Sequence, residues 1–125
     1  MSVGIDVVEV DRVARLVARY GGRLRRTIGS PAEASWAAST VRVAALFAVK
    51  EATVKAVGGR PPGFRWSGVS VTPSDAVSPV LDALVDGVGL TSFSGVRVDW
   101  PGAFSGVGRW GAADGHVYAA VVMGP

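Results

Sequence analysis

The clearest structural signal in the chain is the run Val41-Arg-Val-Ala-Ala-Leu-Phe-Ala-Val-Lys-Glu-Ala-Thr-Val-Lys-Ala-Val-Gly-Gly59. It is rich in alanine and almost free of helix breakers, whereas its two final glycines and Pro61-Pro62 form a strong stop signal. We therefore predict one long helix over 41–57, capped by Ser39 or Thr40. Because the run is apolar on nearly every side, this helix is expected to be buried at the centre of the fold.

The predicted helix carries both lysines of the chain, Lys50 and Lys55, while the other eleven basic residues are arginine. This usage indicates a need for a compact ammonium group here, such as a point charge on phosphate. Glu51 and Lys55 lie one turn apart on one side of the helix, whereas Lys50 points elsewhere. One interpretation of Glu51 and Lys55 is an ordinary ion pair on a solvated helix face. The apolar surroundings weaken this interpretation, and a functional site is the alternative.

A second isolated carboxylate lies in a predicted strand over 3–10, where Asp6 interrupts an otherwise apolar face. A strand carboxylate and a helix carboxylate such as Glu51, with lysine nearby, form an oxygen site suited to Mg²⁺ and substrate phosphate. The Gly58-Gly59 turn would allow a nucleotide to approach the backbone closely, although two glycines after a helix are also the usual C-cap.

The remaining elements are weaker signals. In the first half of the chain, we expect a helix over 11–20 that is begun or capped by Asp11, followed by a connector carrying Arg23, Arg25 and Arg26. A short helix to about 38 is expected next, opened by Ser30-Pro31-Ala32-Glu33. In the second half, we expect strands over 66–72, 95–100 and 117–123 and a helix over 78–88. No repeat or shift in composition divides the chain, so residues 1–125 are expected to form a single domain.

Composition excludes several classes of site. The chain has no cysteine and one histidine, so thiolate metal sites and His-dependent triads are disfavoured and any metal must be held by oxygen. A net charge of +3 and a pI near 10.0 favour an anionic partner. Nucleic acid is disfavoured because no recognised motif is present and aromatic residues do not alternate with the arginines. The amino terminus lacks a signal-peptide pattern and no apolar stretch is long enough to span a bilayer, so we expect a cytoplasmic protein.

Two motifs in order carry a family resemblance. The segment Gly4-Ile-Asp-Val-Val-Glu-Val10 resembles G-[IL]-D-[IV]-x-E-[IL], and Phe47-Ala-Val-Lys-Glu-Ala-Thr-Val-Lys-Ala-Val-Gly58 resembles F-A-x-K-E-A-x-x-K-A-x-G. Between them, the segment 27–33 is similar to a short T-x-x-E element. Together they resemble the holo-[acyl-carrier-protein] synthase family, the small trimeric 4′-phosphopantetheinyl transferases, over about residues 3–59.

This resemblance implies an α+β fold in which an antiparallel sheet packs on the long helix, assembled as a homotrimer with sites at the subunit interfaces. It implies transfer of 4′-phosphopantetheine from coenzyme A to a serine of an apo acyl or polyketide carrier protein. Asp6 and Glu51 would hold Mg²⁺, and Lys55 would neutralise charge developing on the leaving phosphate. Lys50 would contact phosphate or brace the site, and Gly58-Gly59 would border the nucleotide.

The resemblance also assigns a role to arginines on the helix over 11–20. The family docks its acidic carrier protein on this helix, so Arg12, Arg15 and Arg19 are interpreted as a docking surface, with a solvated basic stripe as the alternative. A late S-x-S-H segment of the family has no counterpart in register here, and His116 is interpreted as a strand-end residue, with a coenzyme contact as the alternative. The alternative function is therefore a non-catalytic trimeric homologue that binds carrier protein without productive coenzyme A binding.

Overall fold

The computed structural model describes residues 1–88, 92–102 and 104–125. In chain order the elements are β1 (Ser2–Glu9), α1 (Val10–Tyr20), α2 (Gly22–Ile28), α3 (Pro31–Trp36), α4 (Thr40–Val57), a 3-10 turn (Trp66–Gly68), β2 (Ser70–Pro73), α5 (Pro79–Val88), β3 (Ser94–Asp99), β4 (Ser105–Ala113) and β5 (His116–Gly124). The strands within these ranges form one antiparallel sheet in the order β1-β5-β4-β3-β2. The α+β class with an antiparallel sheet is therefore confirmed.

Helix α4 is the centre of the hydrophobic core, as the apolar pattern predicts. It packs mainly on β1 and β5, and most of its side chains from Val43 to Ala56 are buried. The Ser39 hydroxyl accepts a hydrogen bond from the Arg42 N–H at 3.2 Å, which satisfies one of the free donors at the start of the helix. Gly58 ends the helix with φ 92°, a backbone conformation that favours glycine.

Close contact between β1 and α4 depends on Gly4. A Cβ atom at this position would lie 1.8 Å from the backbone oxygen of Ala52, so a side chain cannot be accommodated without separating the strand from the helix. Because side chains alternate along a strand, Asp6 faces α4 on the same side as Gly4. Val3, Ile5 and Val7 lie on the opposite face and are 42%, 48% and 49% exposed.

Several predicted elements are confirmed with small changes in their limits. Ser30 and Glu33 form the expected capping box at the start of α3. The strands over 95–100 and 117–123 correspond to β3 and β5, and the helix over 78–88 corresponds to α5. Helix α1 begins one residue before Asp11, which does not cap it and lies in its first turn, where a negative charge complements the helix dipole.

Two predictions were wrong, and one strand was missed. The expected connector over 23–26 lies in α2, because Gly21 turns the chain at φ 57° and a new helix then buries Ile28 in the core. The expected strand over 66–72 begins only at Ser70, after the 3-10 turn. Strand β4 was not predicted at all because its glycines hide the strand pattern. At Gly106 a Cβ would lie 2.2 Å from the Val122 oxygen, so the glycine reflects close packing against β5.

Within the described ranges, none of the helices combines the length and the apolar character that crossing a bilayer requires.

Candidate active site

The strand carboxylate Asp6 and the helix residue Lys55 form one half of the candidate site. Lys55 Nζ lies 2.9 Å from Asp6 Oδ1, although the two residues are 49 positions apart in sequence. The same ammonium group donates to the backbone oxygen of Ile5 at 3.2 Å. Asp6 is 14% exposed and Lys55 is 54% exposed, so the pair lies at the edge of the core and remains open to solvent.

The helix carboxylate Glu51 forms the other half. Its Oε1 accepts a hydrogen bond from Arg60 Nη2 at 2.9 Å. Lys55 therefore pairs with Asp6, and Glu51 with Arg60, in place of the i,i+4 ion pair considered as one interpretation of the sequence. Arg60 reaches Glu51 because the chain reverses after α4 at Gly58 and Gly59, whose φ angles are 92° and 126°. At both glycines a Cβ would meet no atom within 4 Å, so backbone conformation, not crowding, favours glycine there.

Both carboxylates line one cleft at the junction of β1, α1 and α4. Its volume is about 460 Å³, which lies in the usual range for small-molecule sites. Polar or aromatic side chains on its wall are Asp6, Glu9, Arg12, Phe47, Glu51 and His116. The cleft thus brings together acidic, basic and imidazole groups from four elements of the fold.

His116 lines the cleft, although the sequence favours a strand-end residue over a coenzyme contact. It is the first residue of β5 and pairs in register with Glu9 of β1, so it is a strand-end residue as expected, yet it also faces the cleft. Its Nδ1 lies 2.9 Å from the Asp114 backbone oxygen. Because that oxygen can only accept, Nδ1 must carry a proton, and in the neutral ring Nε2 is left as a hydrogen-bond acceptor. The sheet register that brings it to β1 has no local sequence signal.

Lys50 has a different environment from Lys55. Its side chain is 0% exposed, and Nζ donates to Glu33 Oε1 at 2.9 Å and to the backbone oxygens of Ile28 and Trp66 at 2.7 Å each. Burial lowers the pKa of this ammonium group, and the hydrogen bond and charge of Glu33 oppose that shift. Since its three N–H donors are all used internally, this geometry fits the bracing role expected for Lys50 better than direct contact with phosphate.

The acidic side chains of the cleft are the candidate ligands for a metal ion. In the described part of the chain, no group of three or more histidine, aspartate or glutamate side chains is arranged to hold a metal. Asp6 and Glu51 do line the same cleft. Two carboxylates fit Mg²⁺, which binds proteins through one or two carboxylates and completes its octahedral shell with water and substrate phosphate.

The arginines of α1 extend from this cleft along an exposed helix face. Arg12 lines the cleft, and all three arginines at positions 12, 15 and 19 are exposed. Arg15 Nη2 lies 3.9 Å from Glu9 Oε1, and the Arg19 guanidinium lies 5.3 Å from the ring centre of Tyr20. The three side chains therefore form a solvent-accessible basic surface that begins at the candidate site.

Comparison with protein families matches residues 2–98 to the 4′-phosphopantetheinyl transferase superfamily. Among individual proteins, the chain is similar to the holo-[acyl-carrier-protein] synthase of Acidithiobacillus ferrooxidans, with 40% identity over 87 residues, covering 65% of this chain and 67% of that protein. It is also similar to the holo-[acyl-carrier-protein] synthase of Maridesulfovibrio salexigens, with 38% identity over 88 residues, covering 67% of this chain and 71% of that protein.

Solved structures show the same fold. The structure of Helicobacter pylori holo-[acyl-carrier-protein] synthase in complex with coenzyme A matches with a TM-score of 0.67 at 22% identity, covering 98% of this chain and 99% of that one. A holo-(acyl-carrier-protein) synthase from Bacillus anthracis in complex with CoA (3′,5′-ADP) matches with a TM-score of 0.68 at 21% identity, covering 98% and 94%. The sequence motifs, the fold and the family match agree, and the chain belongs to the holo-[acyl-carrier-protein] synthase family of the 4′-phosphopantetheinyl transferase superfamily.

Proposed function

We propose that this protein is an enzyme that transfers 4′-phosphopantetheine from coenzyme A to a serine of an apo acyl or polyketide carrier protein, in a Mg²⁺-dependent reaction. The observation that carries the proposal is that Asp6 and Glu51, from different elements, line one cleft and each lies 2.9 Å from a cationic side chain. Phosphoryl transfer depends largely on positioning and charge stabilisation, which this set of groups can provide.

Asp6 and Glu51 are the proposed Mg²⁺ ligands. A bound Mg²⁺ would orient the pyrophosphate of coenzyme A and offset its negative charge. The chain's own groups then act around the substrate. Lys55 offsets the charge that develops on the leaving phosphate, from a position beside Asp6, and the Gly58-Gly59 turn borders the nucleotide. Lys50 holds α4 in place through its buried contacts and has no proposed contact with substrate.

The acidic carrier protein is proposed to dock on α1. The exposed basic surface formed by Arg12, Arg15 and Arg19 starts at Arg12, which lines the cleft. A carrier bound to this surface would therefore present its serine close to Asp6 and Glu51. Opposite charge on the two surfaces would increase the rate of association. This arrangement supports carrier docking over the alternative, in which the arginines form a basic stripe that only faces solvent.

A homotrimer of a single domain over residues 1–125 is part of the same proposal. The row formed by Val3, Ile5 and Val7 is exposed on β1, an edge strand of the sheet. An apolar groove lined by Ile5, Leu84 and Val88 continues this row. An uncovered apolar strip of this kind is typical of a subunit interface. A stable monomer at micromolar concentration, measured by light scattering, would contradict this part of the proposal.

A cytoplasmic location is also proposed, since the reaction consumes coenzyme A.

Intact-mass spectrometry of the carrier protein tests the enzymatic proposal. With Mg²⁺ and coenzyme A, the apo carrier should gain the mass of one phosphopantetheine group. Asp6→Ala and Glu51→Ala should each abolish the gain, because each removes a proposed metal ligand, while the variants remain folded by circular dichroism. No mass gain with several acyl and polyketide carriers, despite a folded wild-type protein, would reject the proposed activity.

The second candidate is a non-catalytic homologue that binds carrier protein without productive coenzyme A binding. The observation in its favour is that the segment 109–116, which corresponds to the late S-x-S-H element, lacks both serines. This segment contains the end of β4, the β4–β5 turn and His116. Calorimetry with coenzyme A and Mg²⁺ separates the two candidates, because only the enzyme is expected to bind the nucleotide.

A further inference from the structure

Arg60 is the first residue after the Gly58-Gly59 turn, and neither motif of the sequence assigns it a role. Its Nη2 donates to Glu51 Oε1 at 2.9 Å, and the Arg60 side chain is 53% exposed. Glu51 is also one of the two proposed metal ligands. Arg60 is therefore bound directly to a group that the proposed reaction uses, although it lies outside both motifs, five residues after Lys55.

A set of aromatic rings orients this guanidinium group. The Arg60 Cζ lies 4.7 Å from the ring centre of Trp66 and 6.0 Å from that of Phe64. Trp66 in turn contacts Phe64 and Phe47 edge-on, with ring centres 5.0 Å and 6.1 Å apart. Phe47 also lines the cleft. We call Phe47, Phe64 and Trp66 the aromatic shelf. It holds the guanidinium beside the cleft through cation–π attraction that does not depend on Glu51.

The ion pair between Arg60 and Glu51 is one that a bound cation can replace. A cation bound to Glu51 Oε1 and the Arg60 guanidinium compete for the same oxygen. An ion pair with an exposed arginine contributes little stability, so a divalent cation with further ligands can displace the guanidinium. The aromatic shelf would retain the displaced group near the site. An arginine held on an aromatic face presents a planar set of donors suited to two oxygens of a phosphate.

We propose that Arg60 competes with the divalent cation for Glu51 and, when displaced, binds a phosphate group of coenzyme A from the aromatic shelf. The inference rests on the proposed function, since it names a further substrate-binding residue for the same site. It gives Arg60 two opposite effects: it weakens binding of the metal alone and strengthens binding of the nucleotide. A purely structural ion pair would not produce this combination.

Two binding measurements test the proposal without an activity assay. Binding of Mn²⁺ alone is measured by the electron paramagnetic resonance signal of the free ion, and binding of coenzyme A at saturating Mg²⁺ is measured by calorimetry. The variants are Arg60→Ala and Arg60→Lys. Arg65→Ala is the matched control, because Arg65 is an exposed arginine in the same loop and the change in charge is identical.

Arg60→Ala is expected to bind Mn²⁺ about two- to fivefold more tightly than wild type, as removal of one exposed ion pair allows, and coenzyme A about tenfold more weakly. Arg60→Lys should leave Mn²⁺ affinity close to wild type, because a cation still competes for Glu51, yet lose much of the coenzyme A affinity because the planar donor set is gone. Arg65→Ala should change either constant by less than about twofold.

The outcomes separate this inference from the proposed function. Wild-type protein that binds neither Mn²⁺ nor coenzyme A rejects both. Wild-type protein that binds both ligands, together with an Arg60→Ala variant whose Mn²⁺ affinity is unchanged or weaker, overturns the inference alone. An Arg65→Ala variant that reproduces both effects of Arg60→Ala also overturns it, because general loop charge would then explain the result.

Discussion

Lys50 and Glu33 form an ion pair inside the core, with Lys50 Nζ 2.9 Å from Glu33 Oε1 and the two side chains 0% and 5% exposed. Every polar atom of the pair has a partner. Glu33 Oε1 also accepts from the Ser30 N–H, and Glu33 Oε2 accepts from the Val71 N–H. The pair therefore connects α4 to the start of α3 and to β2, and it fixes the helix that carries Glu51 and Lys55.

Removal of one member of this pair should be strongly destabilising. Lys50→Met leaves the Glu33 carboxylate buried without its cation, and we expect the free energy of unfolding to fall by about 3–5 kcal/mol. The double variant Lys50→Met/Glu33→Gln removes both charges and should recover more than half of that loss. Urea unfolding followed by circular dichroism measures both values. A single variant as stable as wild type would show that the pair is not a significant support of α4.

The lowered pKa of Lys50 predicts a dependence of stability on pH. Between this lowered pKa and the ordinary lysine value of 10.5, the unfolded chain binds more protons at Lys50 than the folded chain does. The contribution of Lys50 to the free energy of unfolding therefore rises with pH through this window. Below the lowered pKa, Lys50 is charged in both states, and the full cost of burying the charge is present. Wild type should thus gain stability relative to Lys50→Met/Glu33→Gln as pH increases toward 10.5. Urea unfolding over a pH series measures the difference, and a decrease would contradict the assignment.

Gly4→Ala should separate β1 from α4. The added Cβ would lie 1.8 Å from the Ala52 oxygen, which is backbone and cannot rotate away. We expect a loss of at least about 3 kcal/mol in unfolding free energy, together with reduced activity because Asp6 moves with the strand. Gly87→Ala is the control, since a Cβ there meets no atom within 4 Å and alanine favours the helix by about 0.5–1 kcal/mol. Equal stability of the two variants would contradict the packing argument.

Lys55→Ala should affect turnover more than substrate binding. Without the ammonium group, charge that develops on the leaving phosphate is unmatched, so kcat should fall about 10²-fold while KM for the carrier protein changes little. Unfolding free energy should fall by no more than about 1 kcal/mol, because the Lys55 side chain is more than half exposed. Steady-state kinetics with both substrates separates these effects. A change confined to KM would assign Lys55 to binding alone.

Reversal of the basic surface on α1 should weaken use of the carrier protein. Arg12→Glu/Arg19→Glu is expected to raise KM for the carrier about tenfold or more, mainly through slower association, with little change for coenzyme A. Added salt should weaken the wild type in the same way. The double reversal Arg23→Glu/Arg26→Glu changes net charge equally on α2 and serves as the control. If both double variants behave alike, net charge explains the effect and α1 is not a docking surface.

The local sequence determined the elements whose signals are local. The long helix α4 follows from an alanine-rich run between a serine cap and a glycine stop, and the start of α3 follows from the Ser30–Glu33 capping box. The strand that carries Asp6 follows from β-branched residues, and the two motifs identify the family. These signals act within a few residues along the chain, so they can be read without knowledge of what packs against them.

Tertiary structure alone decided which charges meet. Glu51 and Lys55 have the spacing of an ion pair on one helix, yet Lys55 binds Asp6 because Gly4 lets β1 approach α4, and Glu51 binds Arg60 because the glycine turn reverses the chain. The burial of Lys50 and the position of His116 in the cleft likewise depend on packing and strand register. Such contacts join residues that are distant in sequence, and their geometry is set by steric fit between elements, which the local pattern of residues does not contain.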